Sequence, residues 1–219
     1  MSDSPSGKTA EQAEQGKHEK AIIRAFIVLA VIVIGGFLLA HWVINFSRAN
    51  PSHKNEIREY NGFQFVKIGS AWYTQWVRGG DTYDLEFRHP PWDVENITVK
   101  GSVDGRFQRD YLFMTHDPTG ESSRQTAFVA VASSDLTAML TKVFKKKQVV
   151  PACTMNVTDA CATRDIVTCS TNASVIYLKV SNQTGIFLDG NCATFQGVEE
   201  NLTKAVDFGI YQWLGIIKK

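Results

Sequence analysis

The stretch from 21 to 46, AIIRAFIVLAVIVIGGFLLAHWVINF, constrains this chain more than any other part of it. No charged or strongly polar side chain interrupts Ala25 to Ala40, and apolar residues resume at Trp42, Val43 and Ile44. As a helix, about 20 such residues cross the roughly 30 Å hydrocarbon core of a bilayer. Arg24 can snorkel to the headgroups at one end, while Trp42 suits the opposite interface and His41 is a solvated edge residue. A cleavable signal peptide is the alternative, with small residues at Ser47-Arg48-Ala49. The polar lead-in of about 20 residues and the length of the run favour an uncleaved signal anchor. Residues 1–20, polar and without apolar periodicity, then form a disordered cytoplasmic tail, and 47–59 (SRANPSHKNEIRE) form a stalk. Orientation rests on Lys8, Lys17, Lys20 and Arg24 against Arg48, Lys54 and Arg58, a slight lean towards a cytoplasmic N-terminus.

All four cysteines, Cys153, Cys161, Cys169 and Cys192, follow the anchor, an even number of the kind an oxidising compartment pairs into disulfides. Zinc ligands would come in closer pairs, two to four residues apart, and no histidine follows His116. Four cysteines allow three connectivities; a local Cys153–Cys161 staple and a Cys169–Cys192 tie between strand ends form the favoured pattern. The sequons agree with the cysteines. Six of the ten asparagines stand in Asn-x-Ser/Thr triplets whose middle residue is not proline. Asn96, Asn156, Asn172, Asn182 and Asn201 lie beyond the anchor and are glycosylation candidates, while Asn45 falls at the membrane edge. The expected location is the cell membrane, with a single span and the C-terminal domain outside.

Residues 60–219 read as one α+β domain. FQFVKI, AWYTQWV and TYDLEF (63–68, 71–77 and 82–87), separated by Gly69-Ser70 and Gly79-Gly80-Asp81, predict an antiparallel meander. VENITV and YLFMT add short strands, and TAFVAVA (126–132) is a buried strand. Ser133 or Ser134 then caps an amphipathic helix whose face is Leu136, Met139, Leu140, Val143 and Phe144. The run KVFKKK (142–147) closes that helix, where cations complement the helix dipole. DIVTC, SVIYLKV, TGIFLD and CATFQ supply further strands. A second amphipathic helix, about 198–217, presents Val198, Leu202, Val206, Ile210, Trp213 and Ile217. The domain is expected to be mostly antiparallel and disulfide-stapled, with a possible division near Pro151.

Chemistry is sparse. No nucleophile elbow, phosphate loop, metalloprotease or EF-hand pattern occurs, so no catalytic residue, metal or cofactor is assigned. His89 in FRHPPWD and His116 in THDPTGE sit in turn-forming runs that proline and glycine explain without catalysis. A formal net charge of +1 gives no reason to expect nucleic acid.

YNGFQFVKIGSAWYTQ, ACTMNVTDACATRDIVTC and GNCATFQG, followed by LTKAVDFGIYQWLGI, resemble segments of single-pass, disulfide-containing surface proteins of small-genome archaea. The resemblance implies that the four cysteines are a paired set, and it implies no activity. The expected function is a membrane-anchored envelope protein whose ectodomain binds another protein or itself, as an interaction or surface-assembly component. An alternative is a glycan- or solute-binding ectodomain using Trp72, Tyr73, Trp76 and Trp92. A hydrolase or redox enzyme would require His89 or His116 to meet carboxylates and a polar pocket in the fold.

Overall fold

The computed structural model describes residues 34–42, 56–119 and 122–218, and the chain divides into two units, Met1–Lys54 and Asn55–Lys219. In the first, residues 34–42 are helical, and Ile34, Phe37, Leu38, Leu39 and Trp42 are exposed. Among the described residues no helix is long and apolar enough to cross a membrane. The tail 1–20, most of the expected span 21–46 and most of the stalk lie outside the described residues. The end of the expected stalk belongs to the folded unit, because Ile57–Tyr60 is its first strand, β1.

The second unit is α+β. β2 (Phe63–Ile68), β3 (Ala71–Arg78) and β4 (Asp81–Phe87) form the expected antiparallel meander, and β1 adds a fourth strand to it, in spatial order β1-β2-β3-β4. Gly79 and Gly80 link β3 to β4 with φ of 62° and 91°, a left-handed pair that two side-chain-bearing residues would resist. One turn of helix, α1 (Pro91–Val94), follows, where a strand was expected to begin. The other strands are β5 (Val99–Val103), β6 (Tyr111–His116), β7 (Gln148–Cys153), β8 (Asp165–Ile166), β9 (Ser174–Val180), β10 (Gly185–Gly190) and β11 (Cys192–Gly197). They make a seven-stranded sheet in the order β5-β10-β11-β9-β6-β7-β8.

That larger sheet departs from the expected antiparallel pattern. β10 and β11 pair antiparallel, whereas β5–β10, β11–β9, β9–β6, β6–β7 and β7–β8 are parallel. One of these pairs is made by α2 (Ser123–Lys142), which crosses from β6 to the parallel β7. TAFVAVA belongs to this helix rather than to a strand. Ser122, not Ser133 or Ser134, is its cap: the Ser122 hydroxyl accepts from the Gln125 backbone N–H, and the Gln125 side chain accepts from the Ser122 backbone N–H. Pro151 lies inside β7, beyond the reach of β8, which pairs only with Ala152 and Cys153. Its missing N–H therefore leaves no gap in that ladder.

The two faces of the larger sheet are covered differently. Leu112, Met114, Ile176, Leu178, Ala193 and Phe195 face the main core with α2 and α3 (Glu200–Trp213), and that core also takes Phe65, Trp72, Leu85 and Phe87 from the meander. The alternate residues Val175 and Cys192 join Ala152 and Val167 in a smaller cluster, with Phe113, Cys169 and Tyr177 packed against it. Both favoured disulfides are present, Cys153–Cys161 and Cys169–Cys192, with Cα separations of 5.9 and 5.2 Å.

α3 approaches the sheet so closely that a Cβ built on Gly209 would lie 2.4 Å from the Phe195 ring and 3.0 Å from Ile186 Cδ1. Gly209→Ala should therefore lower stability by about 1–2 kcal/mol in urea unfolding, since overpacking outweighs the gain in helix propensity. A stabilised variant would mean that α3 stands off the sheet.

Candidate functional site

β4 is an edge strand, and among the described residues it pairs with β3 alone. A cavity of about 540 Å³ lies between β4 and one face of α2, with α3 contributing Asp207 and Ile210. Asp135, Ala138, Met139, Lys142 and Val143 fall at helical spacing and so share that face of α2. Buried Leu85, Met139, Val143 and Ile210 give the groove an apolar lining, and exposed Asp84, Glu86, Arg88 and Lys142 give it a charged one. Arg88 Nε donates to Asp135 Oδ2 at 2.7 Å, joining the strand wall to the helix wall. This bond, reinforced by the fields of Asp135, Asp207 and Glu86, holds the Arg88 guanidinium more firmly protonated than usual.

His89, next in sequence, turns inward. Asp207 Oδ2 accepts from the His89 backbone N–H at 2.9 Å and lies 2.8 Å from Nδ1. Nε2 lies 3.2 Å from Glu200 Oε1, which also receives Lys204 Nζ at 3.1 Å. The Tyr211 hydroxyl donates to the His89 carbonyl at 2.8 Å. Burial pushes the Asp207 carboxyl above the ordinary aspartate range, against the pull of its bonds from His89. The Lys204 bond, with a smaller contribution from His89, holds Glu200 below its ordinary range. His89 thus meets two carboxylates beside a groove of mixed apolar and charged lining, which a run of prolines gave no reason to expect. In a hydrolytic triad Nε2 would face a nucleophile. Here its hydrogen-bond partner is Glu200, and the arrangement straps the end of β4 to α3.

His116 Nδ1 or Nε2 and the sulfurs of Cys153 and Cys161 lie within 4.8 Å of one another. The two sulfurs are bonded to each other and so are not thiolate donors. Asn96, Asn156, Asn172, Asn182 and Asn201 are all exposed. The four aromatics do not converge on one pocket. Trp72 is buried, edge-on to half-buried Trp92 at 4.9 Å. Trp76 donates its indole N–H to the Leu214 carbonyl, and half-buried Tyr73 stands beside Glu86.

No family model, curated protein or solved structure matches this chain. The sequence gives no reason to group Asp84, Glu86, Arg88, Asp135, Asp207 and Glu200 as one site; Asp135 and Glu200 read there only as acids at helix starts. Asp207 leaves a trace of its own there, as a lone acid inside the apolar run AVDFGIYQW.

Adjacent residues should respond very differently to truncation. His89→Ala removes the imidazole partner of buried Asp207 and should cost about 3 kcal/mol, whereas Arg88→Ala, which breaks an exposed pair, should cost under about 1 kcal/mol. Urea unfolding of both variants checks this, and equal losses would refute the strap. Acid should act through His116, which burial and then the Arg164 charge push below the ordinary 6.5. A lowered histidine pKa favours the neutral folded form, so its stabilising contribution is present above about pH 6.5 and is lost as pH falls through the folded value. Non-titrating His116→Gln should then lose less stability than the wild type on acidification from pH 7. Parallel stability curves would contradict it.

Proposed function

We propose that this chain is a membrane-anchored envelope protein whose extracytoplasmic α+β domain binds a partner protein as part of a surface assembly, through the groove between β4 and α2. One observation carries the reading: β4 offers an unpaired strand edge next to an apolar hollow. A strand edge supplies main-chain hydrogen bonds to an extended segment, and the hollow receives its alternate side chains. The anchor-length apolar run, the paired cysteines and the exposed sequon asparagines favour placement outside the membrane. No sequon lies on the meander or on α2, so both groove walls are clear of glycan acceptors. The glycan- or solute-binding alternative loses support because Trp72 is core and Trp76 is tied to Leu214.

A photoreactive side chain at Thr82, in the groove lining, should form a discrete adduct with a protein on intact cells, whereas one at Lys100 on β5 should not. Filling the groove with Ala138→Trp should abolish the adduct. Equal labelling from Thr82 and Lys100, or labelling unchanged by the filled groove, would place the contact elsewhere.

A further inference from the structure

We propose that the occupant of the groove is an extended cationic segment of a different protein, adding to β4 as a fifth strand with the pattern basic–apolar–basic. This rests on the reading of the groove as a docking surface and names the chemistry it selects. Along β4 the side chains alternate, with Asp84 and Glu86 exposed and Leu85 buried between them. A strand laid against this edge inherits the same alternation. Its residues opposite Asp84 and Glu86 stand on the outer face, and the one between points to the core side, where Leu85, Met139 and Val143 line the groove.

The charges select the sign. The groove lining carries Asp84, Glu86, Asp135 and Asp207 against Arg88 and Lys142. Arg88 is committed to Asp135, and Asp207 to His89. Asp84 accepts only an amide bond, from Gln75 Nε2 at 2.9 Å, and Glu86 accepts from the Tyr73 hydroxyl. Neither has an ion-pair partner among the described residues. Opposite charges directly across a strand pair attract and like charges repel. Lys142 is the one lining cation without an ion pair among the described residues, so Asp84 and Glu86 leave the lining net negative and favour Lys or Arg at both positions of a ligand strand.

The same charges disfavour a second copy of this chain. Two β4 edges paired antiparallel about Leu85 would set Asp84 of each against Glu86 of the other, acid on acid. Acids on an edge strand are also a common guard against aggregation. What goes beyond that role here is the apolar hollow beside the edge, which a guard does not need.

The test uses the full-length chain in detergent micelles and fluorescent eight-residue peptides read by anisotropy. The probe is Gly-Thr-Lys-Val-Arg-Val-Thr-Gly. Its counterparts carry Gln for Lys and Arg, or methylated backbone nitrogens along the pairing edge. The cationic peptide should bind about tenfold tighter than the Gln peptide, the margin expected of two opposite-charge cross-strand pairs, and added salt should narrow that margin. The isosteric surface variant Asp84→Asn/Glu86→Gln should erase most of it while binding the Gln peptide as before. Equal affinity for the cationic and Gln peptides would overturn the charge assignment and leave the groove reading in place. A methylated cationic peptide that binds as well as its parent, or no binding by any peptide, would overturn strand addition at β4 itself. Sedimentation of the chain alone as a dimer that Asp84→Pro abolishes would give the groove to a second copy and refute a foreign ligand.

Discussion

The fold depends on α3 being buried on nearly all sides. Nine consecutive positions of α3 apart from Lys204, namely Leu202, Thr203 and Ala205 through Tyr211, are buried. Two sheets demand this. Phe195 and Ile186 of the larger sheet press on Gly209, while the rings of Phe65 and Phe87 from the meander meet Tyr211 at 5.8 and 4.1 Å. An ordinary amphipathic helix would keep a polar side for water. α3 has no such side in its middle, so its one buried charge, Asp207, needs a partner from within the fold. His89 supplies it two ways, through its backbone N–H and its ring, and the Tyr211 hydroxyl holds the His89 carbonyl one turn further along α3. An isolated buried carboxylate is costly, so the register of β4 against α3 is set by this contact as much as by apolar packing.

Much of this was legible in the sequence, and the failures share a cause. Three of the four meander strands, β2 to β4, the last three strands and both disulfides follow from local alternation, turn residues and cysteine placement. Strand direction does not. SVIYLKV reads as a continuous apolar run because β9 is central in a parallel neighbourhood and covered on both faces, yet a run alone cannot reveal which strands flank it. TAFVAVA was mistaken for a strand because its branched and aromatic residues suit one. The helix signal lay just upstream, in Ser122 and Gln125, and in Val129 and Ala132, which extend the buried stripe back from Leu136. The groove was not legible at all. That β4 is an edge depends on where the chain goes after Phe87, which no window on TYDLEF contains.

The turn into α3 shows what the central packing demands of its surroundings. Gly197 admits no side chain, because a Cβ there would lie 2.6 Å from the backbone of Asn201 and Leu202. Glu199 takes φ 50° and ψ −123°, a conformation that costs a residue with a side chain. Such a kink persists when its neighbours over-determine it. Here Arg124 of α2 pairs with Glu199 at 2.9 Å, and the next residue, Glu200, meets His89. The backbone is thus bent where both α2 and the end of β4 are fastened to α3.

That fastening gives the groove fixed walls. β4 is strapped to α3 at His89, immediately after Arg88, and α2 packs on α3 within the main core, where Leu136 and Leu140 join Leu202 and Val206. Both walls are therefore referred to one buried helix, and their separation does not depend on exposed loops. A strand edge held in this way has already lost the freedom that a binding surface would otherwise lose on meeting its ligand. The disulfide loops are positioned by the opposite face of the larger sheet, where Cys192 and Val175 point away from the helices. Variation in those loops can alter the outer surface without moving the groove, because the central helix and one full sheet separate the two.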